Sequence, residues 1–303
     1  MPRRSSSRLP TVKQLRYFVA LVEHQHFAHA AEASFVSQSA FSVAIKELER
    51  LLGVNLVDRT NKRVTITATG KEIAVHARLC LQDIEALVDI AGGARKPLTG
   101  RLRLGVIPTI APFMLPRLLP GLRKAYPNLD LYLREDLTDR IYERMMEGEL
   151  DLILIALPYD FRGVETMTLF HDPFLLACRQ GSKLVDPENY SFNRLQAESV
   201  LLLEDGHCLR DHALAACRLR STEKISRFAA TSLNTLVQMV DSDLGITYLP
   251  EMAVGTSLLR GTRVKTYPMR QQSVYREIGL AWRRGSARHA EFELLGNFIR
   301  EQH

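Results

Sequence analysis

The chain has no apolar run approaching the roughly 20 residues needed to cross a bilayer. Its opening, Met1-Pro2-Arg3-Arg4-Ser5-Ser6-Ser7-Arg8, lacks the apolar core of a secretory signal. These absences argue against a membrane-spanning or exported protein, and the expected location is the cytoplasm. Cysteine is scarce as well: Cys80, Cys178, Cys208 and Cys217 are the four thiols among 303 residues. In a reducing compartment so few cysteines argue against a static disulfide framework and for free, catalytic or sensing thiols. A structural zinc site also lacks its parts. Cys208 and His212 lie four apart with His207 adjacent, but no second close-spaced Cys/His pair completes a ligand set. No metal or cofactor is expected.

What is present is an ordinary globular composition, 46% apolar and 24% charged, long enough for more than one core. The net charge of +6 is unevenly placed, with ten Lys/Arg against five Asp/Glu in residues 1–67 and near balance afterwards. That asymmetry points to an N-terminal nucleic-acid contact, with a solvated basic face as the bland alternative. Leu15, Phe18, Val19 and Val22 form a helical stripe in Val12 to His24. A short Ala-rich helix follows over Phe27 to Ala33, then a turn at Ser34-Phe35-Val36. A third helix is capped by Ser37, runs from Gln38 to Leu52 and stops at Gly53. This is a helix-turn-helix pattern whose outward positions are Gln38, Ser39, Ser42, Lys46 and Arg50. Two alternating runs around Arg59, Lys62 and Arg63 make a wing that would lie near phosphates. A three-helix structural bundle with a surface hairpin fits the same helix signals.

Leu15-Arg16-Tyr17-Phe18, Ala30-Ala31, Val36-Ser37-Gln38-Ser39-Ala40-Phe41-Ser42, Ile45-Lys46-Glu47-Leu48-Glu49, Leu52-Gly53-Val54 and Thr67-Ala68-Thr69-Gly70 stand in order over some fifty residues. The series resembles the N-terminal signature of LysR-type transcriptional regulators. Ser39 stands where that family usually has proline. The resemblance implies promoter DNA as partner, with Ser37, Gln38, Ser39, Ser42, Lys46, Arg59, Lys62 and Arg63 at the interface.

One long helix from Thr67 to Ile90 carries Ile73, Val75, Leu79, Leu81, Ile84, Leu87 and Val88 and closes at Gly92-Gly93. A free-standing helix of this length needs a partner for its stripe, so it reads as a dimerising linker, with Cys80 as a buried packing thiol. From Gly100 strands alternate with helices, which predicts a parallel sheet wrapped by helices. The expected fold class is therefore α/β. Residues 11–67 form a winged helix-turn-helix and 68–93 a linker helix. Residues 94–303 form a two-lobed, Rossmann-like effector domain of the periplasmic-binding type usual in the resembled family. Thr109, Thr138 and Thr231-Ser232 fall at strand ends or helix starts, where hydroxyls bind small polar ligands or simply cap helices.

The remaining motif is Glu204-Asp205-Gly206-His207-Cys208-Leu209-Arg210-Asp211, with Cys217 nine positions past the first thiol. On a helix from Leu209 to Leu219, nine residues would put the thiols on opposite faces, roughly 13 Å apart along the axis. A disulfide needs Cα atoms within about 7 Å, so the bond requires unwinding. His207, Arg210 and a nearby helix N-terminus predict a lowered Cys208 pKa and a thiolate able to attack peroxide. Two unreactive thiols are the alternative. Together with Gly105-Val106-Ile107-Pro108-Thr109, Phe228-Ala229-Ala230-Thr231-Ser232-Leu233 and Ile246-Thr247-Tyr248-Leu249-Pro250, the segment resembles the hydrogen-peroxide-sensing members of the LysR-type family from about residue 12 to 300. Arg227 stands where some of those relatives carry histidine. The resemblance implies Cys208 as peroxidatic and Cys217 as resolving thiol, with Thr109, Thr138, His207, Arg210, Asp211 and Arg276 binding or activating peroxide. It implies a homodimer or homotetramer, RNA polymerase and a cellular thiol reductant as further partners, and a regulator rather than an enzyme. The rival within the family is a sensor of a small organic anion through Thr109, Thr138 and Ser232.

Overall fold

A computed structural model describes residues 9–58, 64–91, 97–216, 222–269 and 274–302. The chain forms two compact units that divide near Lys96.

In the first unit α1 (Val12–His24) starts at Thr11, whose side chain and that of Gln14 close a reciprocal capping box. Next come α2 (Phe27–Ala33) and α3 (Gln38–Leu52), the latter capped by Ser37 and ended by Gly53 in the left-handed region. A short antiparallel hairpin, β1 (Val57–Asp58) and β2 (Thr65–Ile66), precedes α4 (Ala68–Ala91). Phe18, Leu21, Phe41, Ile45, Leu48 and Leu56 fill the core, and Tyr17 stacks on Phe41 at 5.0 Å. The Glu49 carboxylate accepts hydrogen bonds from the Leu56 and Val57 amides and ties the hairpin to α3. Cys80 is exposed, not buried. It continues the row of Ala74 and Ala77 past the point where this core ends.

The second unit opens with β3 (Gly100–Val106), α5 (Ala111–Ala125), β4 (Leu129–Glu135), α6 (Thr138–Met146), β5 (Leu152–Leu157) and the long β6 (Val164–Arg179). It continues through β7 (Val200–Leu203), α7 (Cys208–Ala216), β8 (Ile225–Ala230), α8 (Leu233–Asp241), β9 (Thr247–Pro250) and α9 (Glu251–Val254). The last elements are β10 (Val264–Pro268), β11 (Tyr275–Arg283) and α10 (His289–Gln302). The parallel pairing expected of the βαβ series holds for β3, β4 and β5, and the later strands make the sheet as a whole mixed. β3 runs parallel to β4 and β5, whereas β11 is antiparallel to β5 and β6, and β6 is antiparallel to β9 and β10. The reason is the two-lobed plan: β6 carries the chain out of the first lobe and β11 brings it back, so the two crossing strands oppose each other. β7 and β8 form a separate parallel pair. Each lobe has its own core, one around Leu104, Leu154, Ile278 and Phe292, the other around Phe174, Leu202, Val237 and Tyr248.

Candidate functional site

Cys208 is the first residue of α7, and its side chain packs into the first-lobe core, while Leu209 and Ala213 of the same helix pack into the second. The helix is therefore wedged between the lobes. Its entry turn uses Gly206 at φ 94, a conformation that side-chain-bearing residues rarely adopt. Around the sulfur lie Thr138 at the start of α6, Ala156 of β5 and Arg276 of β11. Burial pushes the Cys208 thiol above its ordinary value. The Thr138 hydroxyl, the Arg276 charge and a backbone hydrogen bond at Ala156 pull the other way, and Asp211 adds to the rise. Desolvation thus outweighs these stabilising contacts, and the expectation of a lowered thiol pKa is corrected. Thr138 Oγ1 is buried, and the interaction that engages it is the one with the Cys208 sulfur.

Arg276 is fully buried and held on two sides. Its Nε and Nη2 lie 2.9 Å from Asp172 Oδ2, its Nη1 donates to Thr109 Oγ1 at 2.9 Å, and its Nη2 donates to the Thr109 carbonyl at 3.0 Å. Asp172 Oδ1 accepts the Met252 amide at 2.9 Å. Arg276 and Asp172 face each other across β11 and β6, so the crossing strands deliver one cation, fixed in orientation, to the crevice.

The structure thus brings Thr109, Thr138 and Arg276 together with Cys208 and leaves the other expected residues at the flank. His207 is buried, and desolvation pushes its imidazole down, toward the neutral form. Arg210 binds Asp205 at 2.9 Å and the Leu203 carbonyl at 3.2 Å, so its charge is spent on the entry turn. Asp211 is exposed and opposes ionisation of the thiol. Ser232 caps α8 through the Thr235 amide. Arg227 is exposed and pairs with Glu198. Cys217 lies outside the described residues. So do Arg59, Lys62 and Arg63 of the wing. On α3, Gln38, Ser39 and Lys46 are exposed and Ser42 is half-buried, while Ser37 Oγ accepts the Ala40 amide.

Sequence reasoning did not find Asp172, Tyr159 or the placement of His212. Asp172 could have been flagged as a lone acid before the apolar run Phe174-Leu175-Leu176-Ala177. The Tyr159 phenol donates to Asp139, and burial, then that bond, pushes it well above the ordinary tyrosine range. His212 sets Nε2 3.4 Å from the Pro158 carbonyl, and burial holds its imidazole low.

A DNA-reading unit joined to a two-lobed unit with a crevice between lobes defines a ligand- or signal-responsive transcriptional regulator. The chain belongs to the LysR family: residues 12–71 match the bacterial regulatory helix-turn-helix protein, lysR family, and residues 95–303 match the LysR substrate binding domain. It is 39% identical to the HTH-type transcriptional regulator EstR of Acinetobacter baylyi over 96% of this chain and 97% of that one. It is 40% identical to a probable hydrogen peroxide-inducible genes activator of Streptomyces viridosporus over 98% and 96%. Among solved structures, a full-length OxyR variant from Pseudomonas aeruginosa superposes with a TM-score of 0.80 at 33% identity, covering 97% of this chain and 95% of that one.

Proposed function

We propose that this DNA-binding regulator responds to hydrogen peroxide through Cys208 and activates oxidative-stress genes. The observation that carries the reading is the environment of Cys208: a sulfur sealed at the start of α7, beside the buried Thr138 hydroxyl and a cation fixed by Asp172 and Thr109. Relatives described as hydrogen peroxide-inducible genes activators support it. The thiolate attacks one peroxide oxygen, the O–O bond breaks, and the departing hydroxide takes a proton and leaves as water. Cys208 is then a sulfenic acid. The Cys217 thiol displaces its hydroxyl as a second water, and two electrons have passed from the thiol pair to peroxide. Arg276 favours the thiolate electrostatically, and Thr138 donates to peroxide or to the leaving hydroxide.

Cys208 opens the nine-residue α7 and Cys217 follows its last residue in sequence, so the disulfide requires α7 to unwind and Cys208 to leave the first-lobe core. That makes α7 the bistable element: packed when reduced, dismantled and locked when oxidised. A cellular thiol reductant reverses the bond, and α4 pairs two copies in a homodimer or homotetramer in the cytoplasm. Ser37, Gln38, Ser39, Ser42 and Lys46 face the operator, with Arg59, Lys62 and Arg63 at phosphates and RNA polymerase as the downstream partner. The organic-anion reading is weaker because two of its three hydroxyls are engaged, Thr109 by Arg276 and Ser232 by its own helix.

Peptide mapping by mass spectrometry after one equivalent of peroxide tests the core. The expected product is a Cys208–Cys217 linked peptide and an altered promoter footprint. Absence of that peptide, or a peroxide-dependent footprint that persists in Cys208→Ser, overturns the reading.

A further inference from the structure

The outward face of α3 carries one side chain that its neighbours do not explain. Ser39, Val43 and Lys46 follow one another at spacings of four and three residues and so share one row of the helix. Val43 is 65% exposed in that row, whereas Phe41, Ile45 and Leu48 of the same helix are completely buried. It contributes little to the core. It is also a poor choice for the helix itself, since a β-branched residue at an exposed interior position costs side-chain entropy that Ala, Lys or Gln would not. Its polar surroundings, Gln38, Ser39, Ser42 and Lys46, are small or flexible enough to let the helix backbone approach a groove.

We infer that Val43 reads the 5-methyl group of a thymine in the major groove. This rests on α3 being the recognition helix of the family's helix-turn-helix, with its N-terminal residues at the base edges. Val43 is the sixth residue of α3 and falls within that half. The thymine methyl is the one apolar feature the major groove offers, and an aliphatic side chain is its complement. Val43 therefore adds a preference for thymine at one position of each half-site. The hydrogen-bonding neighbours do not supply it.

The test uses the full chain and a duplex it selects from a random pool. Each thymine is replaced singly by deoxyuridine, which removes only the methyl group. At one thymine per half-site, binding is expected to weaken about fourfold, the worth of one buried methyl group. Val43→Ala should bind the unmodified duplex about as weakly and show no further loss at that deoxyuridine, with an unchanged or raised thermal midpoint. If no thymine responds, or if Val43→Ala loses the same factor at the same thymine as the unchanged chain, the inference is wrong. Unchanged affinity in both Gln38→Ala and Lys46→Ala would instead overturn the placement of α3, a distinct result.

Discussion

Removing one partner of the buried ion pair at the crevice should cost far more than removing both. Asp172 and Arg276 are about as buried as any charged pair in a protein, their side chains 2% and 0% exposed. In Asp172→Leu the guanidinium keeps its two contacts to Thr109 but loses its counter-charge while remaining buried. Breaking such a pair costs about 3–5 kcal/mol. Arg276→Met leaves the carboxylate with the Met252 amide alone, and a comparable loss is expected. The double variant Asp172→Leu/Arg276→Met strands no charge, and its cost should fall to roughly 1 kcal/mol. The resulting coupling energy of about 5 kcal/mol or more is readable by urea unfolding followed at Trp282. That residue is the only tryptophan in the chain, and it lies buried on β11 with Arg276. Additive losses, or a single variant costing less than about 1 kcal/mol, would refute the pairing argument.

Because burial raises the Cys208 thiol, its oxidation by peroxide should quicken as pH rises through and beyond the ordinary thiol value of about 8.5. Stopped-flow rates that level off below pH 7 would contradict this. Arg276→Met should react more slowly throughout, having lost the attracting charge. His207 and His212 are both held toward the neutral form by burial, so the unfolded chain takes up protons that the folded chain resists. Their contribution to stability is complete above about pH 6.5 and diminishes as the pH falls below it. His207→Gln should flatten that acid slope, and an identical slope in variant and parent would count against the burial argument. Phe35 sits at φ 55 with 95% of its surface exposed, so it bears backbone strain without contributing to the core. Phe35→Asn, better suited to that conformation, should raise the stability of the first unit by roughly 1 kcal/mol in thermal melts. A lowered midpoint would refute it.

Local signals proved sufficient where the chemistry is local. Ser37 and Gly53 mark the ends of α3 because capping is decided within three or four residues, and the apolar spacing of Phe41, Ile45 and Leu48 marks its buried side. Ser232 announced α8 in the same way. The parallel pairing expected of the βαβ series holds for β3, β4 and β5, but the antiparallel crossing strands carried no such signal, because their direction depends on where the chain crosses between lobes, which no window of neighbouring residues records. β6, the longest strand, had no separate signal for the same reason.

The sequence by itself determined the order of the parts: a basic helix-turn-helix, a long helix, an α/β effector region, and two thiols nine residues apart. Only the tertiary structure decided what surrounds the first thiol. Asp172 and Arg276 are 104 positions apart and Thr109 is farther still, yet together they place one cation beside Cys208. His207, Arg210 and Asp211, its neighbours in sequence, do not provide that charge: one is pushed toward its neutral form, one bound elsewhere, one repulsive. Burial, a property of the assembled lobes, reversed the direction of the thiol pKa expected from the local motif. Charge and desolvation act through space, and the residues that set them here are distant in the chain.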